Sequence, residues 1–166
     1  EGVLPPVTDA AAENLDLVRH ASQKQQFFQD DITAGFLSDQ INTLTIPDAG
    51  NSYWFRVATE LNLNDAEQFV LAMGLALQLD AGLAPIFATC LNDLSRPYPT
   101  LALAQRLWDN PLEIVACADP DHRLFRYGLL RDIHADCAGQ IWQRALEMPS
   151  AVAQTLADPD AGLPLG

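Results

Sequence analysis

The segment from Asn64 to Leu79 constrains the fold more than any other part of the chain. Asn64-Asp65-Ala66-Glu67 has the spacing of a capping box, in which two side chains satisfy backbone N–H groups at the start of a helix. Apolar residues then cover both sides of the helix: Phe69, Val70, Ala72, Met73, Ala76 and Leu77 on one side, and Leu71, Leu75 and Leu79 on the other. A helix that is apolar nearly all round belongs at the centre of a core. We therefore predict a central helix over residues 65–79 and a mainly α fold.

Cap and turn signals predict shorter helices on both sides of this segment. Ser52 is a suitable N-cap for a helix that begins at Tyr53. Asn110-Pro111-Leu112-Glu113 combines a second capping-box spacing with proline at the first helical position. Asp119 is placed to cap a further turn. The predicted helices cover residues 53–61, 83–92, 100–108, 111–118, 120–125 and 149–156.

The pattern changes from helix to strand after Gly128. Leu129 to His134 and Gln140 to Glu147 favour two strands around a turn at residues 135–139. Three packed helices followed by a two-stranded hairpin is the order of a winged helix. We therefore predict a winged-helix-like domain with a small two-stranded β wing over residues 51–157.

Residues 1–50 are predicted to form a helical N-terminal arm. Pro5-Pro6 prevents an early helix, and Thr8 or Asp9 is suited to capping one that begins at Ala10. Residues 45–52 are typical of a loop and separate the arm from the domain. The apolar stripe predicted for the arm comprises Leu15, Val18, Phe28, Ile32 and Phe36.

The charge balance limits the classes of partner. With 22 Asp and Glu residues against nine Lys and Arg, the chain has a formal net charge of −13. Binding to phosphate backbones or anionic membranes depends on basic residues. The composition therefore disfavours nucleic acid and membrane surfaces. Protein partners with basic patches remain compatible with it, and an acidic surface is just as often a solubility feature.

The cysteines and the first residues indicate a cytoplasmic protein. Cys90, Cys117 and Cys137 are odd in number and widely spaced. Cys90 and Cys117 lie in apolar helical runs, where a reduced cysteine behaves as a small core residue. The start of the chain lacks the basic and then apolar pattern of a signal peptide. These features predict a reducing compartment.

Catalytic and metal-binding motifs are absent from the sequence. Cys90 or Cys137 beside His122 or His134 supplies the residue types of a Cys–His nucleophilic pair, but no flanking motif accompanies them. His134 and Cys137 lack the second close pair of ligands that a structural zinc site needs. We therefore predict no catalytic, cofactor-binding or metal-ligating residue in this chain.

A winged helix also invites a DNA-binding interpretation, with the third helix in the major groove. Six of the nine basic residues fall between Arg96 and Arg144, yet eight acidic residues occupy positions 93 to 147. This balance makes nucleic acid the less favoured partner. The residues that would face DNA are Thr100, Gln105, Arg106, Arg131 and Arg144.

Two segments carry a resemblance to a known family. Leu91 to Leu107 joins two apolar helices through Asn-Asp-Leu-Ser-Arg-Pro-Tyr-Pro-Thr, and Arg126-Tyr127-Gly128-Leu129-Leu130 follows later. The pattern resembles the N-terminal winged-helix-like region of bacterial AAA-type ATPases, including those associated with contractile phage-tail-like injection systems. The similarity covers roughly Trp54 to Ala157.

The resemblance implies a larger parent protein that hydrolyses ATP with magnesium as a ring-shaped homo-hexamer. The ATPase signature Gly-x-x-x-x-Gly-Lys-Ser/Thr does not occur here, and the single lysine, Lys24, follows no glycine-rich loop. The resemblance therefore implies a non-catalytic adaptor or regulatory domain, which binds a protein client or its own ATPase module. Residues 158–166 are then a linker towards that module.

We expect six residues to contact a protein partner. Trp142 is included because it alternates with Ile141 and Gln143 on a predicted edge strand. For three arginines, Arg96, Arg123 and Arg126, ion pairs with Asp93, Asp119 or Asp121 that fix turns between helices are the first interpretation, and a protein-docking surface is the alternative. A further alternative is a free-standing dimerisation module that uses the arm as a partner helix. The expected contact residues are Arg96, Tyr98, Arg106, Arg126, Arg131 and Trp142.

Overall fold

The computed structural model describes residues 17–43, 52–132, 141–143 and 145–157. The chain is mainly α, as predicted. Contact density divides it into two compact units, Glu1–Ile46 and Pro47–Gly166. Within the described ranges, no helix has the length and apolar character needed to cross a membrane.

The first unit contains helices α1 (Leu17–Asp30) and α2 (Ile32–Thr43), which meet at Asp31. Asp31 begins α2 as a cap, because its Oδ1 accepts the N–H of Ala34 at 2.8 Å. Ala34 is buried, whereas the larger apolar residues Phe27, Phe28, Ile32, Phe36, Leu37 and Ile41 are exposed. The predicted cap at Thr8 or Asp9, the start at Ala10 and the side chains of Leu15 and Val18 lie outside the described part.

The second unit is built around one central helix. Helix α4 (Asp65–Leu79) contacts α5, α6, α8, the first 3₁₀ helix and strand β2, which confirms its predicted place in the core. The fully buried side chains come from several elements and include Leu71, Leu101, Ile114, Leu124 and Met148. The elements in chain order are α3 (Tyr53–Glu60), α4, α5 (Leu83–Cys90), α6 (Leu101–Leu107), the 3₁₀ helix Glu113–Ala118, α7 (Arg123–Arg126), β1 (Arg131–Asp132), the 3₁₀ helix Ile141–Gln143, β2 (Leu146–Glu147) and α8 (Ser150–Ala157).

The predicted caps at Ser52 and Asn64 are confirmed. Ser52 Oγ accepts the N–H of Phe55 at 3.2 Å. The capping box of α4 is complete, with Asn64 Oδ1 accepting from the Glu67 N–H at 2.9 Å and Glu67 Oε2 accepting from the Asn64 N–H at 2.8 Å. Local sequence therefore determines where α3 and α4 begin.

Asparagine ends two of the helices in the same way. Asn62 (φ 50°) and Asn92 (φ 52°) have left-handed backbones after α3 and α5. In each case two N–H groups turn back to the last helical carbonyls: Asn92 to Thr89 at 3.0 Å and Asp93 to Ala88 at 3.0 Å after α5. This is the Schellman arrangement, in which asparagine tolerates the left-handed position better than most residues.

The two strands are antiparallel, and within the described residues each comprises only two positions of the longer strand that the sequence predicts. Arg131 pairs with Glu147 and Asp132 with Leu146. Leu129 and Leu130 are both buried and the Leu130 N–H bonds to the Leu124 carbonyl at 2.9 Å, so this segment cannot alternate between two faces as a strand does. The predicted turn at residues 135–139 lies outside the described residues.

The prediction of a strand from Gln140 was also wrong, because residues 141–143 form a 3₁₀ helix. On its other edge the segment that ends in β2 contacts the start of α6. Ala145 forms a bridge with Thr100, and the Leu146 N–H bonds to the Pro99 carbonyl at 2.9 Å. The hairpin is thereby attached to the helical core.

Two further predictions need correction after α6. Residues 113–118 form a 3₁₀ helix. The predicted capping box does not close, because Glu113 Oε1 and Oε2 accept from the side chains of Asn110 (3.0 Å) and Trp108 (2.7 Å). Asp119 does not cap the next helix. Its Oδ1 accepts the Asp121 N–H at 2.9 Å, and His122 is the N-cap of α7.

The cysteine prediction is confirmed for Cys117, which is buried, and wrong for Cys90, which is exposed. Helix α5 directs Phe87 and Ala88 inward, and Cys90, its last residue, lies outside that arc.

A buried ionic cluster and a candidate protein-contact surface

Three ionisable side chains meet around the buried Glu67 in the second unit. This residue is 2% exposed, although carboxylates are rarely buried without partners. Glu67 Oε1 lies 2.8 Å from His122 Nε2 and 2.9 Å from Arg123 Nη2. With the bond from Asn64 described above, both carboxylate oxygens have hydrogen-bond donors. The cost of burying the charge is offset in this way.

Arg123 extends the cluster to the end of α3. Its Nη1 donates to the carbonyl oxygens of Leu61 and Asn62, the latter at 2.8 Å. These carbonyls belong to the left-handed turn after α3, where helical partners are lacking. The cluster therefore joins the end of α3, the start of α4 and the start of α7.

The cluster does not have the arrangement of an acid–base site. Both ring nitrogens of His122 are engaged, since Nε2 faces Glu67 and Nδ1 accepts the Leu124 N–H at 3.4 Å. Cys117 lies nearby, and burial raises the pKa of its thiol to about 12, with the charge of Glu67 raising it further and Arg123 lowering it. A nucleophilic cysteine needs the opposite, a pKa lowered towards neutrality. The geometry fits a structural clamp.

The other residues considered for catalysis and metal binding are His134, Cys137 and Cys90. His134 and Cys137 lie outside the described residues, and Cys90 is at the exposed end of α5. In the part of the chain that the structure describes, no group of three or more His, Cys, Asp or Glu side chains is arranged to hold a metal ion.

A second organised feature lies in the loop between α5 and α6. Asp93 Oδ1 accepts the N–H and the hydroxyl of Ser95, at 3.0 and 2.6 Å. Asp93 Oδ2 forms an ion pair with Arg96 Nε at 3.2 Å. The hydrogen bonds from Ser95 are the main reason that the pKa of Asp93 lies below its ordinary value, and Arg96 adds to the effect. Asp93 thus organises the turn, and the expected ion pair with Arg96 is confirmed.

Arg96 connects this turn to the segment that contains Trp142. Its Nη1 donates to Gln143 Oε1 at 2.8 Å, across 47 residues of sequence. Between Asp93 and Arg96 the turn presents Leu94, which is 87% exposed. We call the turn from Asp93 to Arg96, with Tyr98 and residues 141–143, the Leu94 surface.

Three of the six expected contact residues belong to this surface: Arg96, Tyr98 and Trp142. Trp142 is half-buried and packs against the core. Arg106 is exposed near the end of α6, Arg126 is exposed at the end of α7, and Arg131 is exposed on β1. The described contacts link neither Arg126 nor Arg131 to the Leu94 surface.

Sequence reasoning missed the two central residues, Leu94 and Glu67. The sequence does contain a signal for an ordered turn that includes Leu94. In the segment Asn-Asp-Leu-Ser, asparagine is suited to the left-handed position that ends a helix, and the aspartate side chain is suited to accept the N–H of the residue two positions later. For Glu67 the cap role was predicted, but its partners His122 and Arg123 are too far away in sequence to be recognised.

Two residues of the DNA-binding interpretation are engaged inside the fold. Thr100 is fully buried, and its hydroxyl accepts the Leu103 N–H at 3.1 Å. Gln105 Nε2 donates to the Pro111 carbonyl at 3.3 Å. Arg144 lies outside the described residues. The start of α6 therefore faces the core.

Comparison with known proteins adds no assignment: no family model, no curated protein and no solved structure matches the chain.

Proposed function

We propose that this chain is a non-catalytic adaptor domain that binds a protein client through the Leu94 surface. The observation that carries the proposal is the exposure of Leu94 on a turn that Asp93, Ser95 and Arg96 hold in place. A large apolar side chain gains free energy when a partner covers it. Because the turn is already ordered, binding loses less conformational entropy than it would with a flexible loop.

The wider context of the proposal rests on the family resemblance. The domain is a winged-helix-like N-terminal region of an AAA-type ATPase, preceded by the helical arm, and it delivers a client to the motor or regulates it. The parent binds ATP and magnesium, assembles as a homo-hexamer and works in the cytoplasm. The succession of helices and antiparallel hairpin supports the winged-helix part.

DNA binding is the weaker proposal. It needs Thr100 and Gln105 at a base edge, and both side chains are used within the fold. The net charge of −13 opposes the approach of phosphates.

The client-binding proposal is tested by a photoreactive amino acid at position 94, introduced into the full protein in its own cells. The cross-linked protein is then purified, and its affinity is measured for the wild type, Leu94→Ser and the matched control Leu79→Ser. Leu79 is a suitable control because it is 62% exposed on α4, outside the Leu94 surface. We expect Leu94→Ser to weaken binding about tenfold and Leu79→Ser to leave it unchanged. Equal binding by all three proteins would overturn the proposal.

The motor context has a separate test in the coding sequence that follows the codon for Gly166. A Gly-x-x-x-x-Gly-Lys-Ser/Thr segment in the next domain supports it. A stop codon directly after Gly166 would remove the motor from the proposal and leave client binding as a property of the domain alone.

A further inference from the structure

We infer that the 3₁₀ helix Glu113–Ala118 presents a second docking surface, which binds a basic, amphipathic segment of a protein partner. The inference names the chemistry of a bound partner and therefore rests on the proposal that the domain binds proteins. It concerns different residues from the Leu94 surface.

A 3₁₀ helix has three residues per turn, so residues three apart lie directly above one another. Ile114 and Cys117 form the first face and are fully buried in the core. Leu112 and Val115 form the second, and the bond from the Val115 N–H to the Leu112 carbonyl (3.2 Å) shows that they are one turn apart. Leu112 is 68% and Val115 46% exposed. We call these two residues the Leu112–Val115 face.

The backbone beneath this face is held from several directions. The burial of Ile114 and Cys117 fixes the inner side. Trp108 Nε1 donates to Glu113 Oε2 at 2.7 Å, and Gln105 Nε2 reaches the Pro111 carbonyl at 3.3 Å. The two apolar side chains are therefore displayed on an ordered support, which lowers the entropy lost on binding.

The charges around the face have a single sign over a long stretch of sequence. From Leu107 to Asp121 there is no Lys, Arg or His, and the four charged residues are Asp109, Glu113, Asp119 and Asp121. All four are exposed. Glu113 lies on the third face of the 3₁₀ helix, beside the apolar pair, and the three aspartates lie at its two ends.

The helices that pack against this element add little positive charge. Helix α4 contains no basic residue and contributes Asp65, Glu67 and Asp80 at its ends. Helix α6 contributes Arg106, which is exposed and has an interaction of its own within the fold. The next basic residues along the chain, His122 and Arg123, are bonded to Glu67.

Charge complementarity therefore selects the occupant. Two exposed apolar side chains one turn apart match the apolar stripe of an amphipathic helix, and the acidic surroundings match Lys or Arg on its flanks. A neutral segment would cover the apolar pair without electrostatic attraction to the acidic surroundings, and an acidic segment would be repelled by them.

The inference is tested with a synthetic peptide of Leu and Lys, patterned with Leu at positions i, i+3, i+4 and i+7, against the full chain. Its affinity is measured by fluorescence anisotropy at low and physiological salt, and its site by the backbone amide signals of the isotope-labelled protein. We expect saturable binding that weakens with salt, with the signals of residues 109–119 shifting most. The matched control peptide has Glu in place of Lys and should not bind.

Two variants identify the surface. Leu112→Ser with Val115→Ser should weaken peptide binding about tenfold, and Asp121→Asn about twofold with a shallower salt dependence. Leu94→Ser should bind the peptide as the wild type does. Since Leu112 and Val115 are exposed, the double variant should keep the thermal unfolding midpoint of the wild type, and unfolding measurements check this directly.

Failure of the inference differs from failure of the proposed function. If the double variant binds as the wild type does, or if the shifted signals lie elsewhere, the peptide is attracted by net charge alone and the inference is wrong. In both of these cases the adaptor proposal would still be supported if Leu94→Ser lost binding to the protein client. Equal binding of the Glu peptide would contradict the charge-complementarity step.

Discussion

His122 Nε2 lies 2.8 Å from Glu67 Oε1, although 55 residues of sequence separate the two. The contact connects the first turn of α4 to the N-cap of α7, and Arg123 extends it to the end of α3. Three helix termini, each with backbone groups that lack helical partners, therefore share one buried carboxylate. Glu67 therefore caps the start of α4 and also links α4 to α7 and, through Arg123, to α3.

Replacing Glu67 by Gln separates these two roles. The amide oxygen of Gln can still accept the Asn64 N–H, but it loses the charge that pairs with Arg123 and faces His122. Removing one member of a buried ion pair is strongly destabilising, and the effect is reduced here because the Arg123 side chain is 36% exposed. We expect the free energy of unfolding to fall by about 2–3 kcal/mol in urea denaturation.

The matched control is Glu60→Gln, a change at an exposed position of α3. It should alter the free energy of unfolding by less than about 0.5 kcal/mol. If Glu67→Gln were as mild as this control, the cluster would have no part in holding the three helices together.

Thr100→Val tests whether the start of α6 depends on a buried hydroxyl. Valine keeps the shape of threonine but cannot accept the Leu103 N–H, which the Thr100 hydroxyl binds at 3.1 Å. Loss of such a cap costs about 1 kcal/mol. We expect that loss in stability and faster hydrogen exchange at the Leu103 amide. Thr100→Ser keeps the hydroxyl and should preserve protection of that amide, even if its smaller side chain lowers stability elsewhere.

Cys117 should make stability fall at high pH. The thiol titrates near 9.0 when unfolded and at about 12 in the fold, because burial disfavours the thiolate. Between these two pKa values the unfolded state releases a proton that the folded state keeps, so rising pH favours unfolding. From pH 8 to about 10.5 the resulting loss is on the order of 1–2 kcal/mol.

Other groups also titrate in this range, so the measurement compares the wild type with Cys117→Ala. The free energy of unfolding of the variant should decline less steeply with pH than that of the wild type. Parallel curves would show that the Cys117 thiol is already accessible to solvent in the folded protein.

Removal of the arm should leave the second unit folded. The residues that form its hydrophobic core lie between Tyr53 and Leu156. We expect a chain that begins at Asn51 to unfold cooperatively, with a midpoint within a few degrees of the full chain, as followed by circular dichroism. A broad, non-cooperative transition would contradict the division at this point.

Local signals were sufficient for the helix starts and poor for the elements after α6. Ser52 and Asn64 each satisfy an N–H three residues away, so their roles can be predicted from spacing alone. The Asn110–Glu113 spacing is equivalent in sequence, but Glu113 bonds to the Trp108 side chain and leaves the capping box open. A side chain with a better partner elsewhere does not complete a local motif.

Periodicity, caps and composition were enough to predict the helical class, the central position of α4, the limits of α3 and α4 and the acidic character of the chain. Three features emerge only when the chain folds: Glu67 pairs with His122 and Arg123, Leu129 and Leu130 enter the core, and Leu94 and Leu112 remain outside it. Each of these outcomes depends on which distant residues compete for the same space or the same hydrogen bond, and a linear pattern does not record that competition.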